Sequence, residues 1–488
     1  MGGASGEFAK PKIAIAFVFS RGKDGRPGLL MPHIGYDYEA RMEEILGLLR
    51  DKLPDIDFVA FKVNEQSDVD ELIKRKDEFD GFVIYMIGYE YMRGVNVMPI
   101  GEAGKPVVFI DDWLAGGDGT GYGIYVAMRK RKLPVIGVSS SDFKDVINAL
   151  RLFKVIKRMS ESKILLIIDR DRKTYMFGMD LEKFRRGLEE VFGTKIVRMD
   201  EYEFSKLLEE ASDEEAEEIA DAWIKGAKRV VKTTRDEIVK AAKLYIAMKK
   251  AIEIKEADAL STDMPAMAYA YDIMPDGVFK RFYPDKDPKK RGIYGFKKFA
   301  LPCLGVFQLL SEGFPVGCEM NLNATVTLLL MHYLTEELTG EPRPGFTGGR
   351  IFDLAKDRII YHLCTAPYRM FGPSGPANPY EIRCHGDIFR VNAAPQSFMP
   401  VGEKITAVFI DPIKKVIVMH GGVTEENITE DKFCTNKLAI KADVERILEN
   451  YGKGTLHPNR TIFYGDWRKP LRNLAVLLGL KVVEEDRG

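Results

Sequence analysis

Short apolar runs alternate with amphipathic stretches through the first third of the chain, and this alternation constrains the fold more than any other feature. Runs of this kind, rich in β-branched and aromatic side chains, occupy residues 13–19, 58–63, 82–87, 107–110 and 135–138. Such short runs are typical of buried parallel strands, and the stretch 38–53 between the first two has the periodicity of a crossover helix. The pattern predicts a doubly wound α/β domain.

Two changes in the sequence pattern divide the rest of the chain. A fresh apolar run at residues 163–168 repeats the opening of the first domain, so we place a boundary near residue 161. Capping boxes that begin at Ser212 and Thr234 indicate helices in this second domain. From about residue 345, glycine- and proline-rich turns separate short alternating strands, which favours a barrel-like or sandwich domain.

The predicted fold class is therefore α/β. Two doubly wound α/β domains, residues 1–160 and 161–347, precede a β-rich, barrel-like C-terminal domain, residues 348–488.

The balance of charge argues against several classes of partner. The chain has 72 Lys+Arg and 73 Asp+Glu, so no global basic field is present to hold nucleic acid or an anionic membrane. Apolar runs fall short of the roughly 18–20 residues that a membrane helix needs, and the first residues lack the apolar stretch of a signal peptide. We therefore expect a cytoplasmic protein. Glutamine occurs at only three positions, a bias found in thermophilic proteins.

Cysteine spacing and a glycine-rich loop give weaker signals. The five cysteines include no CxxC pair, which argues against a disulfide framework or a zinc knuckle. The loop at residues 115–123 lacks the third glycine of a dinucleotide fingerprint and the lysine of a P-loop. We interpret it as a flexible loop that contacts a sugar or a neighbouring subunit.

Candidate chemical groups concentrate in the last third of the chain. The group that can supply mixed imidazole and carboxylate ligands consists of His362, His385, His420, His457, Glu319, Asp353, Asp387 and Asp466. Glu319 follows an apolar stretch and immediately precedes a helical pattern, where the helix dipole favours an ionised carboxylate. A helix-start glutamate without a chemical role explains the same pattern equally well. His332 lies inside an apolar helical run, which favours a packed side chain.

Several sequence motifs occur here in an order that resembles a known superfamily. They occupy residues 300–304, 317–325, 359–367, 402–403, 431–438 and 463–466. The series, spread over residues 300–488, resembles the L-fucose isomerase and L-arabinose isomerase superfamily, especially its fucose isomerase-like branch. The resemblance implies a metal-dependent aldose–ketose isomerase that binds a small sugar and forms a homo-oligomer, either a trimer or a hexamer. Its implied cofactor is Mn²⁺, with Mg²⁺ or Fe²⁺ as substitutes.

Aldose–ketose isomerisation explains why carboxylates and a metal ion are expected at the site. Moving a carbonyl between C1 and C2 of an open-chain sugar transfers a proton while the oxygens carry enediolate charge, which carboxylates and a hard cation can stabilise. The resemblance makes Glu319 the candidate metal ligand and acid/base group. Our hypothesis is that Asp353 completes the catalytic pair and that Glu319, Asp353 and His457 bind the metal. The residues expected to bind substrate are Asn321, His362, Arg369 and His385.

The chain departs from the family pattern at the metal site. Asn321 stands where the family has an aspartate, and Gly349 stands where a second carboxylate is expected, so a ligand is missing unless Asp353 replaces it. His362 is moved by one position, which in a strand turns a side chain to the opposite face. Either the site is rebuilt for a different sugar or reaction, or the fold is a metal-free carbohydrate-binding or otherwise diverged member without isomerase turnover.

Overall fold

A computed structural model describes most of the chain. The described residues are 8–19, 30–33, 35–90, 95–116, 120–168, 173–175, 179–262, 301–318, 320–363, 365–384 and 393–487. The chain divides into two compact units, residues 7–158 with 469–481, and residues 159–468 with 1–6 and 482–488. We call the first the N-terminal unit and the second the barrel unit. Apart from residues 469–481, both predicted domains after residue 160 fall within the barrel unit.

The N-terminal unit is built on a parallel sheet. Its strands are β1 Lys12–Val18, β2 Leu30–Met31, β3 Asp57–Val63, β4 Gly81–Met86, β5 Tyr89–Glu90, β6 Val107–Asp111 and β7 Val135–Val138. The helices that begin in it are α1 Tyr38–Lys52, α2 Gln66–Lys74, α3 Met98–Gly101, α4 Thr120–Lys130 and α5 Phe143–Glu161. The five-stranded sheet has the order β3-β1-β4-β6-β7. Every residue from 13 to 17 is fully buried, as expected where both faces of a parallel sheet are covered.

A second parallel sheet begins the barrel unit, in the order β11-β8-β13-β14. The strands of this part are β8 Lys163–Ile167, β9 Thr174–Tyr175, β10 Met179–Asp180, β11 Lys195–Met199, β12 Val230–Val231, β13 Ala259–Thr262 and β14 Val316–Cys318. The helices are α6 Leu181–Phe192, α7 Glu201–Glu209, α8 Asp213–Gly226, α9 Arg235–Lys255, α10 Cys303–Ser311 and α11 Leu322–Thr339. Ser212 and Thr234 cap α8 and α9 by accepting hydrogen bonds from the N–H groups of Glu215 and Glu237.

The C-terminal part is a closed barrel with additional short strands. The strands are β15 Phe346–Asp353, β16 Arg358–Leu363, β17 Tyr380–Arg383, β18 Ala394–Ser397, β19 Lys404–Asp411, β20 Val416–Asn427, β21 Asn436–Lys441, β22 Arg460–Tyr464 and β23 Lys481–Glu484. The helices are α12 Val444–Glu449 and α13 Arg468–Leu477. Six strands follow the order β19-β22-β15-β16-β21-β20, and pairing of β19 with β20 closes the barrel.

Helix α11 is fixed against the barrel by polar side chains. Asn323 donates to the carbonyl of Ile410 on β19 at 2.9 Å, and Thr327 accepts from the N–H of the same residue at 3.1 Å. Both side chains are fully buried or nearly so. These bonds fix the start of α11 against strand β19 of the barrel.

The architecture agrees with the sequence at the level of fold class. The chain is mixed α/β with parallel sheets, and its C-terminal region forms the expected barrel. The doubly wound placement of helices stays a prediction. Among the described residues, none of the helices is both long and apolar enough to span a bilayer.

Candidate functional site

A cavity of about 380 Å³ lies where β14, α11 and strands β15 and β16 come together. Apolar side chains of α10 and α11 form part of its wall. The polar side chains that line it include Cys318, Asn321, Thr347, His362, Thr365 and Cys434. Its volume is within the range of small-molecule sites, and its wall mixes apolar surface with a few polar groups in the way such sites do.

The turn between β14 and α11 places two of these residues. Asn321 caps α11, since its Oδ1 accepts from the N–H of Ala324 at 3.0 Å. Met320 before it has a φ of 52°, a left-handed conformation that costs a non-glycine residue free energy. A turn held in this conformation brings both Cys318 and Asn321 to the cavity, although they flank it in sequence.

His362 occupies space that a side chain at position 349 would need. The two residues are directly opposed in the pairing of β15 with β16, so they share a face. A Cβ atom on Gly349 would lie 2.6 Å from His362 Nε2, and one on Gly348 would lie 2.9 Å from the His362 carbonyl oxygen. Gly349 therefore allows the imidazole to lie against β15, and Gly348 allows the backbone of His362 to approach closely. The space beside Gly349 is filled by a ring from the neighbouring strand.

A thiol and an imidazole form the chemically reactive pair of the described wall. Cys434 Sγ lies 3.6 Å from His362 Nδ1, and the ring of Phe433 packs on the imidazole with centroids 5.4 Å apart. Lys437 Nζ donates to the Cys434 carbonyl at 2.9 Å, and burial lowers the pKa of this lysine. A thiol that donates to Nδ1 leaves the imidazole proton on Nε2. The pair can therefore accept and return a proton at the cavity wall.

Two buried polar groups on the wall lack hydrogen-bond partners within the described structure. Asn321 Nδ2 is a donor on a residue that is 2% exposed, and Thr365 Oγ1 belongs to a residue that is 7% exposed. An unsatisfied buried polar group costs about 1–3 kcal/mol. A ligand with hydroxyl groups would satisfy both, because a hydroxyl both donates and accepts.

Arg350 fixes the part of the cavity wall that is formed by Pro458 and Asn459. Its Nε donates to the Pro458 carbonyl at 3.0 Å, and its Nη1 donates to Glu485 Oε2 at 3.1 Å. Arg460 Nη2 donates to Glu485 Oε1 at 2.6 Å. All three charged side chains are at most 1% exposed. Burial opposes ionisation of Glu485, but the two arginines outweigh it and lower the pKa of this carboxyl group.

Asp353 lies away from the cavity, contrary to the expectation that it replaces the missing ligand. Its Oδ2 accepts from Arg358 Nε at 3.0 Å. Strand β15 carries it four residues past Gly349, a separation of about 14 Å at ~3.4 Å per residue. This placement gives Asp353 an ion pair at the end of a strand and does not support its predicted acid/base or metal-binding role.

His457 is packed inside the barrel unit and does not line the cavity, although the two residues after it do. Its ring lies 4.6 Å from that of Phe409, and its Nδ1 accepts from the N–H of Asn459 at 3.2 Å. Burial, with Arg460 and Arg350 nearby, lowers the pKa of His457 to about 3, so the imidazole is neutral at physiological pH. This position does not support the predicted role as a metal ligand in the cavity.

The remaining predicted site residues fall into two groups. Asn321 and His362 line the cavity. Arg369 does not line it, because its guanidinium donates to the Gly375 carbonyl and lies over the ring of Tyr368. Glu319 and His385 lie outside the described residues.

The described donor set does not fit the hard cation that the resemblance implies. Within the described ranges, no three His, Cys, Asp or Glu side chains converge in a way that could hold a metal ion. The side chains of these types on the described wall are His362, Cys318 and Cys434, and two of them are soft thiols that suit Mn²⁺ or Mg²⁺ poorly. We therefore assign no chemical step to a metal.

Thr365, Cys434 and Arg350 shape the cavity but carry no functional prediction from the sequence. Thr365 and Cys434 do lie within the motifs 359–367 and 431–438, so those motifs were a usable signal. Nothing local identifies Arg350, because its partner Glu485 is 135 residues away.

Comparison with known proteins gives only remote similarity. No family model and no curated protein matches the sequence. A periplasmic solute-binding protein of an ABC transporter from Actinobacillus succinogenes 130z, solved with bound D-allose, is 12% identical over 69% of this chain and 94% of that one, with a TM-score of 0.17. An arabinose-binding protein from Geobacillus stearothermophilus is 13% identical over 52% of this chain and 74% of that one, with a TM-score of 0.15. Similarity this low supports no assignment of function.

Proposed function

We propose that this protein is an aldose–ketose isomerase-type enzyme that binds an open-chain sugar in the cavity between β14, α11 and the barrel. The observation that carries the proposal is the composition of the cavity wall. It combines an imidazole–thiol pair with buried polar groups on Asn321 and Thr365 that no described residue satisfies. The cavity of about 380 Å³ has room for a pentose or a hexose.

The proposed reaction assigns separate tasks to the residues of the site. Glu319, which the family resemblance makes the acid/base carboxylate, removes the proton from C2 and returns it to C1. His362 moves a proton between the two oxygens as the carbonyl shifts from C1 to C2, so that the enediol stays neutral. Asn321 and Thr365 bind hydroxyl groups further along the chain. A homo-oligomer, as the resemblance implies, belongs to the same proposal.

A second candidate function is sugar binding without turnover. It is favoured by the absence of any carboxylate from the described part of the cavity wall and by the ion pair that holds Asp353 elsewhere. The described wall can form hydrogen bonds to a sugar but contains no carboxylate base. The base of the isomerase proposal is Glu319. Formation of a ketose separates the two candidates.

Binding of linear alditols tests whether the cavity takes an open-chain sugar. We expect alditols of five or six carbons to bind, and methyl glycosides, which are locked as rings, to bind at least about tenfold more weakly in calorimetry. Thr365→Val should weaken alditol binding by up to about tenfold, because one hydrogen bond is worth about 0.5–1.5 kcal/mol. The free protein should lose no stability, since the Thr365 hydroxyl has no partner within the described structure. Equal affinity for rings and chains would contradict the proposal.

A further inference from the structure

A second cavity, of about 190 Å³, lies within the N-terminal unit. Strands β4, β6 and β7 run parallel, so their carboxyl ends share one edge of the sheet, and the cavity lies at that edge. Tyr85 near the end of β4, Asp111 at the end of β6, and Ser140 after β7 all line it. Parallel α/β sheets bind ligands at this edge.

One of the two adjacent carboxylates in this cavity is already neutralised. Arg41 of α1 donates to both oxygens of Asp112, with Nε–Oδ2 and Nη2–Oδ1 distances of 2.9 and 2.8 Å. The same guanidinium donates to Glu44 at 2.8 Å. Two carboxylates therefore balance the charge of Arg41, which leaves no spare positive charge for an anionic ligand.

The other carboxylate, Asp111, has no cation beside it in the described structure. The residue is 7% exposed, and its Oδ1 is buried without a hydrogen-bond partner among the described residues. The turn after β6 closes onto this oxygen, and a side chain at Gly116 would collide with it. Burial without a described cation disfavours the ionised form of this carboxylate, and a ligand that supplies a counter-charge would stabilise that form.

Apart from the charged residues and the hydroxyl groups of Tyr85, Ser140 and Ser141, the cavity is lined by apolar side chains. Leu48, Phe143 and Val146 line it, together with Trp113, whose side chain is exposed at the surface. The hydroxyl of Ser140 is engaged with Asp145 at 2.7 Å. A hydroxyl-rich ligand would therefore meet few free polar partners, and a small inorganic cation would lose water ligands that apolar walls cannot replace.

We propose that this cavity binds a small organic monocation, a primary ammonium group on a short apolar chain. The ammonium group donates to Asp111, and the chain packs against Leu48, Phe143 and Val146. Trp113 at the surface adds a cation–π or apolar contact. The site lies wholly within the N-terminal unit, and it does not depend on the sugar-binding proposal.

The binding should depend on pH in a defined direction. Burial, reinforced by the neighbouring charge of Asp112, raises the pKa of Asp111 to about 6. The other titratable groups around the pair are Tyr36, Tyr85 and Tyr122, together with Arg41 and Glu44. Burial raises the pKa of all three tyrosines, which therefore stay neutral. Only the ionised carboxylate attracts the cation, so affinity is full above the pKa and falls about tenfold for each unit below it.

Butylammonium chloride is the probe that tests this site, with 1-butanol as the uncharged match. At about pH 8 and constant ionic strength, we expect butylammonium to bind the full-length protein at least about tenfold more tightly than butanol. Asp111→Asn, which keeps the shape of the side chain, should abolish this preference. In the wild-type protein at about pH 5, the preference should fall by about tenfold.

Several outcomes would overturn the proposal. They are equal binding of butanol, unchanged ammonium binding in Asp111→Asn, or tighter binding of erythritol or of Mg²⁺ than of butylammonium. If Asp111→Asn fails to fold, the pH series on the wild-type protein decides alone, because ammonium binding that does not weaken below the pKa of Asp111 contradicts a carboxylate partner.

Discussion

Replacing His362 by asparagine should lower kcat for aldose–ketose conversion by about 10²–10⁴-fold, the usual contribution of a positioned acid/base group. His362 is the acid/base side chain of the described wall, and Cys434 Sγ lies 3.6 Å from its Nδ1. Asparagine can still form a hydrogen bond to a hydroxyl group, but it cannot exchange a proton at neutral pH. We therefore expect alditol affinity to change by less than about threefold while turnover collapses.

His332→Asn provides the matched control. This histidine lies on α11, away from the cavity, and its Nδ1 lies 2.9 Å from the Gly313 carbonyl oxygen. The substitution should leave kcat unchanged. A His362→Asn protein that turns over at the wild-type rate would exclude the proton-transfer role, and one that loses affinity and turnover in equal measure would indicate a binding role alone.

Replacing Glu485 by glutamine should destabilise the barrel unit by about 3–5 kcal/mol, because removing one partner of a buried ion pair leaves the other charge uncompensated. Here two guanidinium groups, on Arg350 and Arg460, share the one carboxylate, and all three side chains are almost completely buried. The loss should be visible in urea unfolding. Because Arg350 holds Pro458 at the cavity wall, sugar affinity should fall as well.

Glu190→Gln is the control for this effect. Glu190 forms an ion pair with Lys415 at 2.6 Å, but its side chain is 64% exposed. Exposed pairs contribute about 0–1 kcal/mol, so this variant should unfold close to the wild type. If Glu485→Gln is no less stable than Glu190→Gln, the buried pair does not support the cavity wall.

Local sequence pattern predicts the mixed α/β fold class and the C-terminal barrel, because strand and helix signals depend on nearby residues. Apolar runs such as residues 13–17 become strands that are fully buried, and Ser212 and Thr234 cap the helices that their spacing predicts. The change near residue 345 to short strands separated by glycine- and proline-rich turns predicts the barrel, which begins at β15. Periodicity and capping depend on neighbours within a few residues, which a sequence displays directly.

Sequence predicts the candidate site less completely, because strand register and long-range pairing decide it. Asp353 is near Gly349 in sequence, yet four strand residues carry it out of reach. His362 lies opposite Gly349 only because β16 pairs with β15 in the observed register. The contacts of Cys434 with His362 and of Arg350 with Glu485 span 72 and 135 residues, so no local pattern could reveal them.

The most direct test of the central claim is proton exchange at C1 and C2 of bound sugars. A panel of aldopentoses and aldohexoses is incubated with the protein in D₂O, without chelators and with and without added Mn²⁺, and is followed by NMR. The proposal predicts that at least one aldose forms its ketose with deuterium at C1, and that Glu319→Gln abolishes this reaction. A sugar that binds in the cavity but shows neither ketose nor deuterium incorporation would contradict isomerase activity and leave a binding protein.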